Sequence, residues 1–159
     1  MKPVTLRAWE LSDAPALEPA CGDDDICRFT TVPRVYTPAG AEAWIRRQWK
    51  READGSARVR AIVADQIVGM AGLFGMSDGE GRFGYWTIAA YRDRGYTTTA
   101  VRLLAGWAFD QRGLQAVHLD IEPGNVASRA VAEAIGAVYA GEVENQTAGV
   151  VLDRYTLTA

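Results

Sequence analysis

Two short segments of this chain hold residue types that could do chemistry together. The first is Tyr91-Arg92-Asp93-Arg94-Gly95-Tyr96-Thr97-Thr98. It follows the apolar, β-prone run Phe83 to Ile88 and precedes the helical pattern Ala100 to Phe109. A strand, a basic turn with a glycine and a helix start make an anion cradle. The first amides of a helix have no intrahelical acceptor, and the helix dipole favours negative charge there. Gly95 lets backbone approach a ligand, and Arg92 and Arg94 flank it. The second segment is Pro123-Gly124-Asn125-Val126-Ala127-Ser128. Asn125 suits a helix N-cap, and Ser128 brings a hydroxyl into the first turn. Taken singly, one segment is an ordinary strand-to-helix turn and the other an ordinary cap. They gain meaning if the strands before them are neighbours, because both then open on one crevice at the strand ends.

Other chemistries find little support. Gly79-Glu80-Gly81-Arg82-Phe83-Gly84 matches a dinucleotide fingerprint in letters, but it leads into a β-prone run where that fingerprint needs a helix. It reads as a hairpin loop. No phosphate-binding loop of the Gly-x-x-x-x-Gly-Lys type exists. His118 is the sole histidine and sits in an apolar run, and Cys21 and Cys27 lie far from it, so no metal site is expected. Asp23-Asp24-Asp25 reads as a solvated loop. The five tryptophans are read as packing, with Trp44 and Trp49 on one helix face and Trp86 and Trp107 in the core.

The chain has 159 residues, 48% apolar and 23% charged, the balance of a globular domain. A net charge of −3 argues against nucleic acid as the main partner. No apolar run reaches membrane-spanning length, and the N-terminus reads directly into a strand with no secretion signal. The two cysteines are therefore expected as reduced thiols in a cytoplasmic protein. No linker or repeat appears, so residues 1–159 are read as one domain.

The elements that must position the two segments follow from periodicity and breakers. Strands are predicted at Thr5–Glu10, Arg58–Ala64, Ile67–Phe74, Arg82–Ile88, Ala116–Glu122, Val138–Val143 and Val150–Leu157. Helices are predicted from Ser12-Asp13, over Asp25–Thr31, from Thr37-Pro38 to about Ala53, after Thr98 to Gln111, and over Asn125–Ile135. Gly75 to Gly81 reads as a loop, and Gln146 to Gly149 as the tip of a last hairpin. The result is an α/β domain.

The two segments, in this order, resemble the GNAT acyltransferase superfamily. Its cofactor turn, Gln/Arg-x-x-Gly-x-Gly/Ala, is met by Arg92-x-x-Gly95-x-Thr97, with Thr97 departing at the last position. Thr5-Leu6-Arg7-Ala8-Trp9, Gly84-Tyr85-Trp86, the Tyr91 to Tyr96 turn and Asn125-x-x-Ser128 are similar to the ribosomal-protein N-terminal (RimJ/RimL-like) branch. The resemblance implies a mixed, mostly antiparallel sheet of about seven strands flanked by about four helices and splayed between two strands. It implies acetyl-CoA, with pyrophosphate on the amides of Arg94, Gly95, Tyr96, Thr97 and Thr98 beside Arg92. The pantetheine arm would run along Trp86, Thr87 and Ile88. Many members protonate the departing thiolate with a tyrosine seven residues after the asparagine. Here that residue is Ala132, and Ser128 carries the role in the branch that matches, with Asn125 orienting groups nearby.

On the acceptor side an amine must lose a proton before it attacks. The branch often has an acidic residue where this chain has Arg82. Glu80, Asp120, Glu122 and Glu144 remain as alternatives. The expected activity is direct acetyl transfer to a primary amine, either a peptide N-terminus or a small molecule. The rival is a non-catalytic acyl-CoA-binding module, motivated by the missing tyrosine and by Arg82. The last two strands could also pair two copies into a homodimer.

Overall fold

The computed structural model describes residues 2–28, 30–145 and 149–159. In chain order the elements are β1 (Thr5–Arg7), a 3-10 segment (Leu11–Leu17), α1 (Asp24–Cys27) and α2 (Pro38–Ala53). There follow β2 (Arg58–Val63), β3 (Ile67–Ser77), β4 (Glu80–Thr87), a short 3-10 turn (Ala89–Tyr91) and α3 (Tyr96–Asp110). The chain closes with β5 (Ala116–Ile121), α4 (Val126–Ala134), β6 (Val138–Asn145) and β7 (Val150–Thr158). The strands form one sheet in the order β1-β2-β3-β4-β5-β7-β6. Every pairing is antiparallel except β4 with β5. The expected mixed sheet of seven strands and four α-helices is therefore present.

Alternation along the strands sends apolar side chains to both faces, and helices cover each. On one face Val101, Leu104 and Ala108 of α3 and Val131 of α4 pack on Ile62, Leu73, Val117 and Leu119. On the other, Trp44 and Ile45 of α2 and Leu17 of the 3-10 segment pack on Val59, Met70 and Trp86. Trp9, Trp44 and Trp86 form an aromatic knot there, with ring centroids 5.1 to 6.3 Å apart.

The β4–β5 pairing matters most for the site. It covers only Glu80 with Ala116, Gly81 with Val117 and Arg82 with His118. Beyond Arg82 the two strands part. Backbone groups of β4 from Phe83 onward therefore lack a ladder partner on that side.

Several boundaries differ from the sequence expectation. Strand β1 stops at Arg7, not Glu10, because Glu10 caps the 3-10 segment in a reciprocal box with Asp13. The helix start is thus Glu10 and not Ser12. Helix α1 is confined to Asp24–Cys27, capped by the Asp23 side chain. The region from Gly75 to Gly81 is mostly strand: β3 runs to Ser77, Asp78 and Gly79 turn with φ of 52° and 78°, and β4 begins at Glu80. Trp49 is not on the buried face of α2; it is partly exposed, and its Nε1 donates to the Trp9 carbonyl at 2.8 Å. The last hairpin forms, but Gln146, Thr147 and Ala148 at its tip lie outside the described residues.

Asp13 is a structural carboxylate with a testable signature. Arg7 grips it with both Nη atoms at 2.7 and 2.9 Å, and the Glu10 amide donates to it at 2.8 Å. Burial pushes its carboxyl up, but the Arg7 guanidinium and the Glu10 amide together outweigh burial and hold it below the usual carboxylate range. A depressed folded pKa gives stability that is present above the unfolded value and is lost as pH falls through the folded one. Asp13→Asn is therefore expected to destabilise at neutral pH, with the gap to the parent protein closing as pH falls below the usual carboxylate range. Urea unfolding at neutral pH and in acid measures this. A gap that persists in acid would show that the carboxylate charge is not the cause.

Candidate functional site

The parting of β4 from β5 opens a cleft of about 850 Å³. One wall is the end of β4, the turn after it and the first turn of α3. The other is the loop after β5 and the first turn of α4. The two segments singled out by sequence thus face each other across one opening, as neighbouring strands require.

The first wall is shaped by left-handed backbone. Asp93 has φ 61° and Gly95 φ 79°, and Gly95 is the N-cap of α3 with no side chain closing it. The first amide to find a helical acceptor is Thr99, bonded to the Gly95 carbonyl at 3.1 Å. The amides of Tyr96, Thr97 and Thr98 precede it and have no intrahelical partner. Arg94 lies over the Tyr91 ring at 5.7 Å and lines the cleft.

Arg92 also lines the cleft, but its guanidinium is already engaged. Nε donates to the Thr87 carbonyl at 3.1 Å and Nη2 to Asp23 at 2.8 Å, with Asp25 at 3.8 Å from Nη1. It ties the end of β4 to the cap of α1. This long-range partnership, 69 residues apart, is invisible in the sequence.

Thr97 explains its own departure from the family pattern. Its hydroxyl meets that of Thr87 at 2.5 Å, linking the first turn of α3 to the end of β4. Thr87 is 9% exposed, so Thr97→Ala leaves a buried hydroxyl without that partner, at a cost of about 1–3 kcal/mol. Since the backbone amide is unchanged, CoA affinity is expected to stay within about twofold. Denaturant melts and CoA titration of that variant measure both effects; a large loss of affinity without a loss of stability would contradict this role.

Trp86, Thr87, Tyr96 and Thr98 line the cleft with Gly95 and Thr97. Ile88 does not. It lies past the end of β4, its side chain is buried and its amide donates to the Val68 carbonyl at 2.9 Å.

On the second wall the Asn125 amide donates to the Glu122 carbonyl at 3.0 Å, and its side chain accepts from the Ser128 amide at 3.1 Å. Gly124, with φ 88°, lets the chain reverse between them. The cap therefore fixes where Ser128 stands at the cleft. Tyr85 lies across from it on β4. Burial pushes the Tyr85 phenol above its usual value, and an interaction with Ser128 partly opposes that. The phenol is thus neutral at physiological pH and available as a hydrogen-bond partner for the serine hydroxyl. Tyr85 carried no assigned role in the sequence, although it stands within Gly84-Tyr85-Trp86.

The four carboxylate alternatives separate in space. Asp120 is held by Arg154 through both oxygens at 2.8 and 2.9 Å. Glu80 is exposed, 3.4 Å from His118 Nε2, and Glu144 is exposed on β6. Arg82, where the branch often has an acid, is exposed beside the short β4–β5 pairing. Of these five, only Glu122 lines the cleft. Asp23, Asp24 and Asp25 are not a loose acidic run: Asp23 caps α1, and Asp24 pairs with Arg34 at 2.6 Å. Among the described residues no group of three or more potential metal ligands converges.

Comparison with known proteins agrees with this architecture. The sequence profile of the acetyltransferase (GNAT) domain matches residues 4–138. YdaF of Bacillus subtilis (strain 168), which carries the name of a ribosomal N-acetyltransferase, is 29% identical over 149 residues, spanning 89% of this chain and 81% of its own. Mycobacterium smegmatis RimJ, solved with a CoA disulfide, superposes with a TM-score of 0.86 at 18% identity, covering 98% of this chain and 82% of that one. RimL, a ribosomal L7/L12 alpha-N-protein acetyltransferase solved with coenzyme A, superposes with a TM-score of 0.86 at 15% identity, covering 98% and 93%. At such identities the structural matches show a common fold.

Proposed function

Because this chain belongs to the GNAT acetyltransferase family, we propose that it moves an acetyl group directly onto a primary amine in the cleft between β4 and β5. It is an N-acetyltransferase, and its acyl donor is acetyl-CoA. The observation that carries the proposal is the meeting of the α3 N-terminus, the unpaired edge of β4 and Ser128 around one opening.

The residues present fit the donor. Uncapped amides at Tyr96, Thr97 and Thr98, with Arg94 beside them, suit a pyrophosphate. The edge of β4 at Trp86 and Thr87 suits an extended amide-bearing arm, which could bond to it as a strand does. The volume lies within the roughly 300–1,000 Å³ of ligand clefts. Acetyl-CoA supplies an activated acyl group on a thiol leaving group. The chain supplies placement of that group beside the amine and a proton at the Ser128 hydroxyl for the departing sulfur. Arg92 contributes by holding the cleft wall in shape, whatever it adds to phosphate binding.

For the acceptor, the relatives point to protein N-termini, and a small-molecule amine uses the same chemistry. Residues 1–159 act as one domain in this reading. The unpaired cysteines suit the cytoplasm, and among the described residues no helix is long and apolar enough to cross a membrane. The outer strand β6, with Val138 and Tyr139 exposed, suits pairing of two copies; sedimentation giving a monomer at micromolar concentration would remove that element.

Thiol release from acetyl-CoA, measured against a panel of peptides and small amines, tests the function. Amine-dependent release with an acetylated product is expected. Tight CoA binding without turnover of any amine would overturn it.

A further inference from the structure

Resting on that amine reading, we infer that Glu122 is the carboxylate that docks the protonated acceptor amine and takes its proton, and that Arg28 occupies its place in the free protein. Four carboxylates were open to this role. Arg154 engages both oxygens of Asp120, and Glu80 and Glu144 lie away from the cleft. Glu122 lines the cleft on the Ser128 wall. Its backbone is tied to the turn that carries Ser128, since its carbonyl accepts from the Asn125 amide and the Asn125 side chain accepts from the Ser128 amide.

Glu122 already holds a cation. Arg28 Nη2 sits 2.8 Å from its Oε1, and Arg28 lines the same cleft. A carboxylate that binds a guanidinium at the cleft wall has the charge and access to bind an ammonium there. The side chains of the pair are 52% and 32% exposed, and exposed pairs of this kind contribute little to stability. An incoming ammonium can therefore displace Arg28. The other charged residues on the cleft are Asp25, 3.8 Å from Arg92, Arg92 itself, which is bound to Asp23, and Asp93 and Arg94 on the opposite wall before α3.

The step balances as follows. The ammonium gives one proton to a Glu122 oxygen. The freed nitrogen lone pair forms the bond to the acetyl carbon, the carbon–sulfur bond breaks, and its electron pair leaves on sulfur. Sulfur takes a proton from the Ser128 hydroxyl. The nitrogen's second proton restores that hydroxyl through solvent, Glu122 gives its proton to solvent, and the products are a neutral amide and a free thiol.

The test compares two acceptor classes in the full chain: an aliphatic amine or peptide, protonated at the assay pH, and hydroxylamine, which is unprotonated there. Glu122→Gln is expected to lower kcat/KM for the protonated class by about 100-fold and for hydroxylamine by less than about threefold. CoA affinity, by calorimetry, is expected to be unchanged. Glu122→Asp should recover part of the loss, and Arg28→Gln should lower KM for the protonated class alone. Equal losses for both classes would make Glu122 a merely structural residue and overturn the inference, as would no loss for either. A parent protein that turns over neither class overturns the amine reading itself, and this inference falls with it.

Discussion

Ser128→Ala is expected to lower kcat by about 100-fold, at the lower end of the range for general acid catalysis, while CoA binding is expected to stay within about twofold. A thiol is a better leaving group than an alcohol or an amine, with an ordinary pKa near 8.5, so its departure needs only modest help. The cap geometry predicts that help comes from the first turn of α4, where the Ser128 amide is pinned by Asn125 at 3.1 Å. Removing the hydroxyl leaves this bond in place, so the wall keeps its shape. Single-turnover acetyl transfer at saturating amine, beside calorimetric CoA binding, separates chemistry from affinity. An unchanged single-turnover rate would remove Ser128 from the chemistry. Equal losses in rate and affinity would make it a structural residue.

Gly69→Ala has the larger effect on the protein as a whole. A methyl group built at Gly69 meets the Trp86 carbonyl oxygen at 2.2 Å, with the Thr87 Cα at 3.1 Å. Both are backbone of β4, the strand paired with Gly69, so no side chain can swing aside. The strands must separate, at a cost of about 3 kcal/mol or more. The displaced residues are those proposed to carry the donor's arm, and a misplacement of about 1 Å is enough to reduce turnover about 100-fold. Gly106→Ala is the control: nothing lies within 4 Å of its added methyl in the interior of α3. That change is expected to stabilise by about 0.5–1 kcal/mol. Thermal and denaturant melts of both variants decide the matter; a Gly69→Ala protein as stable as its parent would mean that β3 and β4 need not approach so closely.

Features set by neighbouring residues were readable from the chain. Thr37-Pro38 starts α2 with a capping side chain and a proline in the first turn, and the helix ends at Ala53 as expected. The Tyr91 to Thr98 turn and the Asn125 cap are equally local, and the structure puts them on one cleft. What escaped was set by distant partners. The glycines from Gly75 to Gly81 suggested a loop, yet Gly75 and Gly81 are strand residues of β3 and β4. Gly72 and Gly84, expected in strands, do lie in them, and methyl groups added at these two positions would come within 2.8 and 2.7 Å of the Phe74 ring. These glycines leave room for an aromatic ring lying across the sheet. Arg92 had the right spacing for a phosphate contact, but its link to Asp23 across 69 residues could only come from the fold. The acidic alternatives were equal on paper and unequal in space, because Arg154 and Arg28 select different partners.

The parted sheet joins its two halves by very little backbone. The strands β1 to β4 pair in sequence on one side and β5, β7 and β6 on the other, but only three residue pairs stitch the two sets together, and the core under α3 and α4 supplies the rest. A donor bonded along the open edge of β4 would act as the missing rung, present only while it is bound. Folding and donor supply would then be linked, because any ligand that binds only the folded state shifts the unfolding equilibrium with its concentration. The enzyme would be sturdiest when acetyl-CoA is plentiful and most open to unfolding when it is scarce.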